Sequence, residues 1–149
     1  LLKITDFDQS YYHNDDKVTS AGTAYHRAPE IIAQKCEDPK AADIFSAGIL
    51  LFIFKTQGRL PQMEDQMYEG KHLLALMEAR SEEFWDVHSK AIQRENDFFD
   101  SDFRELFLGM TRVNPKERFT IQDIKSCKWY NGPVYNTQEL KELISRSFL

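Results

Sequence analysis

Ala41-Ala42-Asp43-Ile44-Phe45-Ser46-Ala47-Gly48-Ile49-Leu50-Leu51-Phe52-Ile53-Phe54-Lys55-Thr56-Gln57 decides the fold class. Ile44, Phe45, Ile49, Leu50, Leu51, Phe52, Ile53 and Phe54 leave a helix over 41–57 almost without a polar face. A helix that is apolar nearly all round is buried on most sides. Residues 41–57 are therefore expected to run through the centre of the domain. Gly58 stops the helix and Pro61 follows, a good C-terminal signature. Asp43, near its start, reads on its own as an ordinary helix cap.

Outward from this rod, the remaining signals are mostly helical. Residues 1–6 suit a short strand, with Leu2 and Ile4 on one face and Lys3 and Thr5 on the other. Residues 8–22 are polar and read as a long loop, which in a compact domain is usually functional or disordered. Ala28 to Ala33 suits a short helix with a proline near its first turn, and Lys35 to Lys40 is a polar connection. Met67 to Ala79 is an amphipathic candidate, with Leu73, Leu74, Leu76 and Met77 on its apolar side. Ser81 to Ile92, holding Phe84, Trp85 and Val87, reads as a shorter helix. Asp102 with Glu105 fits a capping box, and Phe103, Leu106, Phe107 and Met110 follow at helical spacing. Thr120 caps a further helix with Ile121 and Ile124 inward, and Trp129 lies beyond its end. Asn136 with Glu139 opens a last helix bearing Leu140, Leu143, Ile144 and Phe148. The expected class is mainly α, a helical bundle with a short N-terminal strand remnant.

Composition bounds the function. The 149 residues are 42% apolar and 29% charged, an ordinary globular balance long enough for one sizeable core. A net charge of −5 gives no broad electrostatic reason to bind nucleic acid or an anionic membrane. The longest apolar run, Ile49 to Phe54, has six residues and is far too short to span a bilayer. Cys36 and Cys127 lack C-x-x-C spacing, so zinc has no support and a reduced, intracellular, cytoplasmic protein is the simplest expectation. His13, His26, His72 and His88 are scattered rather than clustered. A strand already under way at Leu1, with few strand partners downstream, reads as a truncated domain or partial gene product.

The ordered short motifs carry the chemistry. Asp6-Phe7-Asp8 follows the strand candidate, where an aspartate can hold a magnesium ion bridging phosphates, because hard cations prefer carboxylate oxygen. Alone, it reads first as a turn residue. Thr19-Ser20-Ala21-Gly22-Thr23 leads into Ala28-Pro29-Glu30, and Glu30 follows Asp6 by 24 positions. Far downstream lies Asn114-Pro115-Lys116-Glu117-Arg118-Phe119-Thr120. Each motif is weak singly; their order is informative.

In that order they resemble the second half of a eukaryotic-type Ser/Thr protein kinase catalytic domain. The resemblance covers residues 1–130, leaving 131–149 as a C-terminal helical extension. It implies that Asp6 binds magnesium and thereby the nucleotide, that 6–30 is an activation segment, and that Thr19 and Ser20 are candidate regulatory phosphosites. Phosphate there would add charge that can order a loop against arginine. It further implies that Thr23 supports recognition of a Ser/Thr substrate. Glu30 and Arg118 would form a structural ion pair, for which the planar guanidinium fork is suited. Asp43 would accept backbone hydrogen bonds from a catalytic loop, and Trp129 would be a core tryptophan closing the domain.

Asp8 stands where the family has glycine, and His26-Arg27 departs from its commonest tyrosine-containing pattern. The chain has no G-x-G-x-x-G, no Val-Ala-Ile-Lys and no His-Arg-Asp, and it is expected to be inactive alone. ATP and Mg2+ belong to the intact parent and are not expected to bind this fragment tightly. Implied partners are a protein substrate, an upstream kinase and the missing N-lobe. Residues 63–100 are longer than the family needs between these motifs and read as a lengthened loop or a partner surface. Two alternatives stay open: a pseudokinase or scaffold lobe, favoured by Asp8, and an unrelated helical interaction module.

Overall fold

Asp38-Pro39 starts the central helix, two residues ahead of the sequence expectation. In the computed structural model, which describes residues 3–11, 22–61 and 81–147, helix α2 runs Pro39–Lys55 and is preceded by a short α1, Pro29–Ile32. Asp38 Oδ1 accepts the backbone N–H groups of Lys40 at 3.0 Å and Ala41 at 3.2 Å, and Pro39 occupies the first turn, where its missing N–H costs nothing. Asp43 is therefore not the cap; it lies one turn inside the helix. The Asp-Pro pair, inside the polar connection expected over 35–40, is the stronger start signal.

Downstream come α3, Ser81–Ala91, α4, Ser101–Met110, α5, Ile121–Ser126, and α6, Thr137–Ser147. The fold is mainly α. Asp100, not Asp102, caps α4, with Oδ1 accepting from Phe103 N–H at 2.9 Å. The register follows from burial: Phe103, Leu106, Phe107 and Met110 all turn inward. Thr120 and Asp123 close a reciprocal capping box on α5. Asn136 and Glu139 do the same on α6, with Asn136 Oδ1 accepting from Glu139 N–H at 3.0 Å and Glu139 Oε2 from Asn136 N–H at 2.8 Å.

Phe52 on α2 is the hub of the core. Its ring lies 4.9 Å from His88, 5.0 Å from Phe107, 5.6 Å from Phe84 and 5.7 Å from Phe99. Stacked and tilted aromatic rings at these separations add to the burial of their area. Trp85 joins this cluster and is fully buried with Phe84. The stretch around Glu82-Glu83-Phe84-Trp85 is thus a core-forming helix, neither a lengthened loop nor an apolar partner surface. Where α2 crosses α4, Gly48 faces Met110 and Thr111, whose side-chain atoms would lie about 3 Å from any added Cβ. The missing side chain lets the two helices approach closely.

Several expectations are corrected. Residues 3–6 form no strand, and Ile4 is 84% exposed. A lone strand leaves its hydrogen-bonding groups unpaired, and no second strand exists among the described residues to pair with it. α2 buries one face, Ala42, Phe45, Gly48, Ile49 and Phe52, while Leu50 is 41% and Phe54 71% exposed. The helix is therefore not enclosed on most sides. Ile121 is also exposed, because α5 is short and lies at the edge. The helix expected over Met67–Ala79 lies outside the described residues. No helix among the described residues is long and apolar enough to cross a membrane.

Three helix ends share one device. Gln34, Gln57 and Gln93 adopt left-handed φ of 55°, 57° and 56°. The next N–H reaches back to close each end: Lys35 to Glu30 O, Gly58 to Ile53 O and Arg94 to Ser89 O. This satisfies last-turn carbonyls as a glycine-type C-cap does, here with glutamine in the left-handed position.

Candidate functional site

Arg118 organises the one buried charged site of the described residues. Its Nη1 donates to Glu30 Oε1 at 2.6 Å and Nη2 to Glu30 Oε2 at 3.0 Å. This is the two-pronged geometry that distinguishes arginine from lysine. The remaining donors are also used: Nε reaches Arg112 O at 3.0 Å, Nη1 reaches Ala41 O at 2.7 Å, and Nη2 reaches Val113 O at 3.4 Å. The guanidinium carbon sits 5.1 Å from the Phe45 ring centroid. Both charges are more than nine-tenths buried. One side chain thus clamps α1, the start of α2 and the loop after α4.

The segment leading to Glu30 is held by a chain of contacts. Gln9 Oε1 accepts the Gly22 N–H at 2.8 Å, Arg27 Nε donates to Gly22 O at 2.6 Å, and Ser46 Oγ on α2 donates to His26 O at 2.8 Å. Gln9, Gly22, Arg27 and Ser46 border a cleft of about 360 Å3 at the start of α2, which Asp43 also lines. Asp43 is largely open to water, yet partial burial on its cleft side raises its carboxyl above the ordinary aspartate range.

Asp6 and Thr23 are both exposed and neither lines this cleft. Asp6 takes φ 67°, an uncommon left-handed backbone for a non-glycine residue. Asp8, the residue replacing glycine, does not. A divalent ion fits here only partly: Asp6 offers one carboxylate, a hard oxygen ligand. No group of three or more His, Cys, Asp or Glu able to hold a metal occurs among the described residues. Magnesium typically takes one or two carboxylates and completes its shell with phosphates and water, so Asp6 can be one ligand of a shared site, not a site by itself. Thr19 and Ser20 lie outside the described residues. Trp129 is a half-buried edge residue, 37% exposed, with its ring 5.9 Å from Phe103.

Residues 1–130 match the family model described as "Protein kinase domain". The chain belongs to the protein kinase family. Among curated relatives, this kinase-family chain is 30% identical over 137 residues to CBL-interacting protein kinase 20 of Oryza sativa subsp. japonica, covering 87% of the chain and 26% of that protein. It is 27% identical over 146 residues to CBL-interacting serine/threonine-protein kinase 10 of Arabidopsis thaliana, covering 95% and 27%. It is 30% identical over 143 residues to serine/threonine-protein kinase SAPK2 of Oryza sativa subsp. indica, covering 93% and 39%. The kinase-family chain thus spans only about a quarter to two-fifths of the length of these relatives. No solved structure matches it.

Sequence reasoning missed His88. It is buried on α3 against Phe52 and Phe84, with Nε2 unpartnered and a hydrogen bond to the Pro61 backbone. Desolvation is the main cause that lowers its pKa to about 4, and Arg59 adds to it. Its helical spacing from Phe84 on the inward face was the available signal.

Proposed function

We propose that this chain is the substrate-side lobe of a protein kinase that transfers phosphate from ATP to protein serine or threonine. The observation that carries the proposal is the Glu30–Arg118 clamp, which fixes the end of the segment begun by Asp6 onto the helical core. Phosphoryl transfer depends mostly on positioning and charge stabilisation, and a segment anchored at its Glu30 end serves both. Residues 1–130 are the catalytic-domain part and 131–149 a helical extension. Asp6 supplies one magnesium ligand within a Mg-ATP site completed by a nucleotide-gripping half. Thr23 supports substrate recognition, Asp43 and Trp129 are structural, and Thr19 and Ser20 take regulatory phosphate from an upstream kinase. The free thiols Cys36 and Cys127 suit a reducing intracellular, cytoplasmic setting.

The 149 residues alone transfer no phosphate, because no glycine-rich loop, strand lysine or His-Arg-Asp base is among them. The test is to read the coding sequence upstream of Leu1, express the longest product, and assay phosphate transfer to a protein substrate with Mg-ATP. Activity that disappears in Asp6→Asn supports the reading. A folded product with neither transfer nor stabilisation by Mg-ATP would instead assign the lobe to a scaffold, the second reading favoured by Asp8.

A further inference from the structure

The C-terminal ends of α2 and α3 meet around a cleft of about 490 Å3 whose charge opposes that of the chain. The protein has 24 acidic and 19 basic side chains, yet the cleft is lined by Lys55, Arg59 and Arg94 and by no carboxylate. Gln57 and Gln93, two of the three left-handed cap residues, add amide groups, and Phe98 forms an apolar wall.

Lys55, Arg59 and Arg94 keep their charge unneutralised by any carboxylate among the described residues. Among the described residues, none of the three pairs with a carboxylate or hydrogen-bonds a carbonyl through its side chain. Cations at helix C-termini commonly neutralise exposed carbonyls. Here the carbonyls of Ile53, Phe54, Ser89 and Lys90 already accept backbone N–H groups from Gly58, Gln57, Arg94 and Gln93. Lys55 Nζ lies 4.5 Å, and Arg94 Cζ 5.8 Å, from the Phe98 ring centroid, so these two like charges stand no more than about 10 Å apart. Among the described residues no carboxylate relieves their repulsion, and their contact with one ring orders them before a ligand arrives.

We propose that this cleft is a binding site for a phosphate dianion, carried most fittingly by a phosphorylated serine or threonine of a polypeptide. Arginine recognises phosphate through paired donors and lysine as a point charge. The volume lies in the range of small-ligand sites, and a bare phosphate ion would leave much of it empty. Phe98 offers a surface for the carbon atoms next to the phosphoester. The site lies at the far end of α2 from the Asp43 cleft and does not rest on the phosphotransfer proposal.

The test titrates the full 149-residue chain at low ionic strength with inorganic phosphate, a phosphoserine peptide, and the same peptide bearing serine or glutamate. Saturable binding is expected for the phosphate-bearing ligands, falling about tenfold in Arg59→Gln or Arg94→Gln, the scale of one lost charge-assisted hydrogen bond. The control Lys116→Gln should bind as wild type. A phosphopeptide at least about tenfold tighter than inorganic phosphate identifies the polypeptide source; equal affinity identifies the free ion. Should a variant fail to fold, arginine modification by phenylglyoxal on the wild-type chain gives the answer, since phosphate should protect Arg59 and Arg94 but not Arg146. No saturable phosphate binding, unchanged affinity in both arginine variants, a glutamate peptide as tight as the phosphopeptide, or no protection would each overturn the proposal.

Discussion

Replacing Arg118 by alanine strands a buried carboxylate and leaves the carbonyls of Ala41, Arg112 and Val113 without this donor. Breaking a buried ion pair by removing one partner costs about 3–5 kcal/mol. The lost hydrogen bonds to these carbonyls and the lost contact with Phe45 put Arg118→Ala at the upper end of that range. Glu30→Ala is milder, about 2–3 kcal/mol, because the guanidinium keeps its three carbonyl acceptors and a hydrogen bond from a charged donor is worth about 1.5–3 kcal/mol. Once Arg118 is gone, removing Glu30 relieves an unpaired buried charge. The double variant should therefore be no less stable than Arg118→Ala and fall short of the summed losses by about 2–3 kcal/mol. Urea unfolding followed by circular dichroism and tryptophan fluorescence measures all three values by linear extrapolation. Additive losses, or a Glu30→Ala variant as damaged as Arg118→Ala, would refute the clamp as the organising contact.

Two further outcomes follow from named atoms. His88 has its pKa lowered to about 4 in the folded chain against an ordinary 6.5, so between these values the unfolded chain binds the extra proton. Stability should be complete above about pH 7 and fall as pH drops toward 4, by at most about 3 kcal/mol and nearer 2 after discounting for solvent screening. His88→Phe should flatten that slope in a pH series of unfolding midpoints, and an unchanged slope would remove His88 as its source. Gly109→Ala places a Cβ 2.5 Å from the Phe119 ring. Overpacking of about 1–3 kcal/mol then outweighs a helix-propensity gain of up to about 1 kcal/mol, so thermal unfolding should move to lower temperature.

The elements of this fold were legible where a cap and a periodic apolar face agreed. Thr120 with Asp123 and Asn136 with Glu139 mark the starts of α5 and α6, as side-chain oxygens and backbone N–H groups close locally whatever packs nearby. Caps failed where two aspartates competed. Asp102 lost to Asp100, and Asp43 to Asp38, whose carboxylates accept the first-turn N–H groups of Phe103 and of Lys40 and Ala41. The strand at residues 3–6 failed because pairing is not a local property. The exposure of Leu50 and Phe54 was illegible for the same reason: an apolar residue states a preference for burial, while a neighbour must supply it. At the site, Glu30 and Arg118 could be named from motif order alone. The carbonyls that use the other guanidinium donors could not, since backbone acceptors leave no mark in side-chain identity.

The Glu30–Arg118 contact spans 88 positions of sequence, which gives the protein a schedule during translation. At about 5–20 residues per second, the ribosome finishes Arg118 roughly 4–18 s after Glu30. Through that interval the nascent α1 carries an acid with no counterpart, so the first third of the chain cannot lock before the last third emerges. Slowing or stalling synthesis between codons 31 and 117 should therefore lengthen the window in which chaperones and proteases can act on this polypeptide.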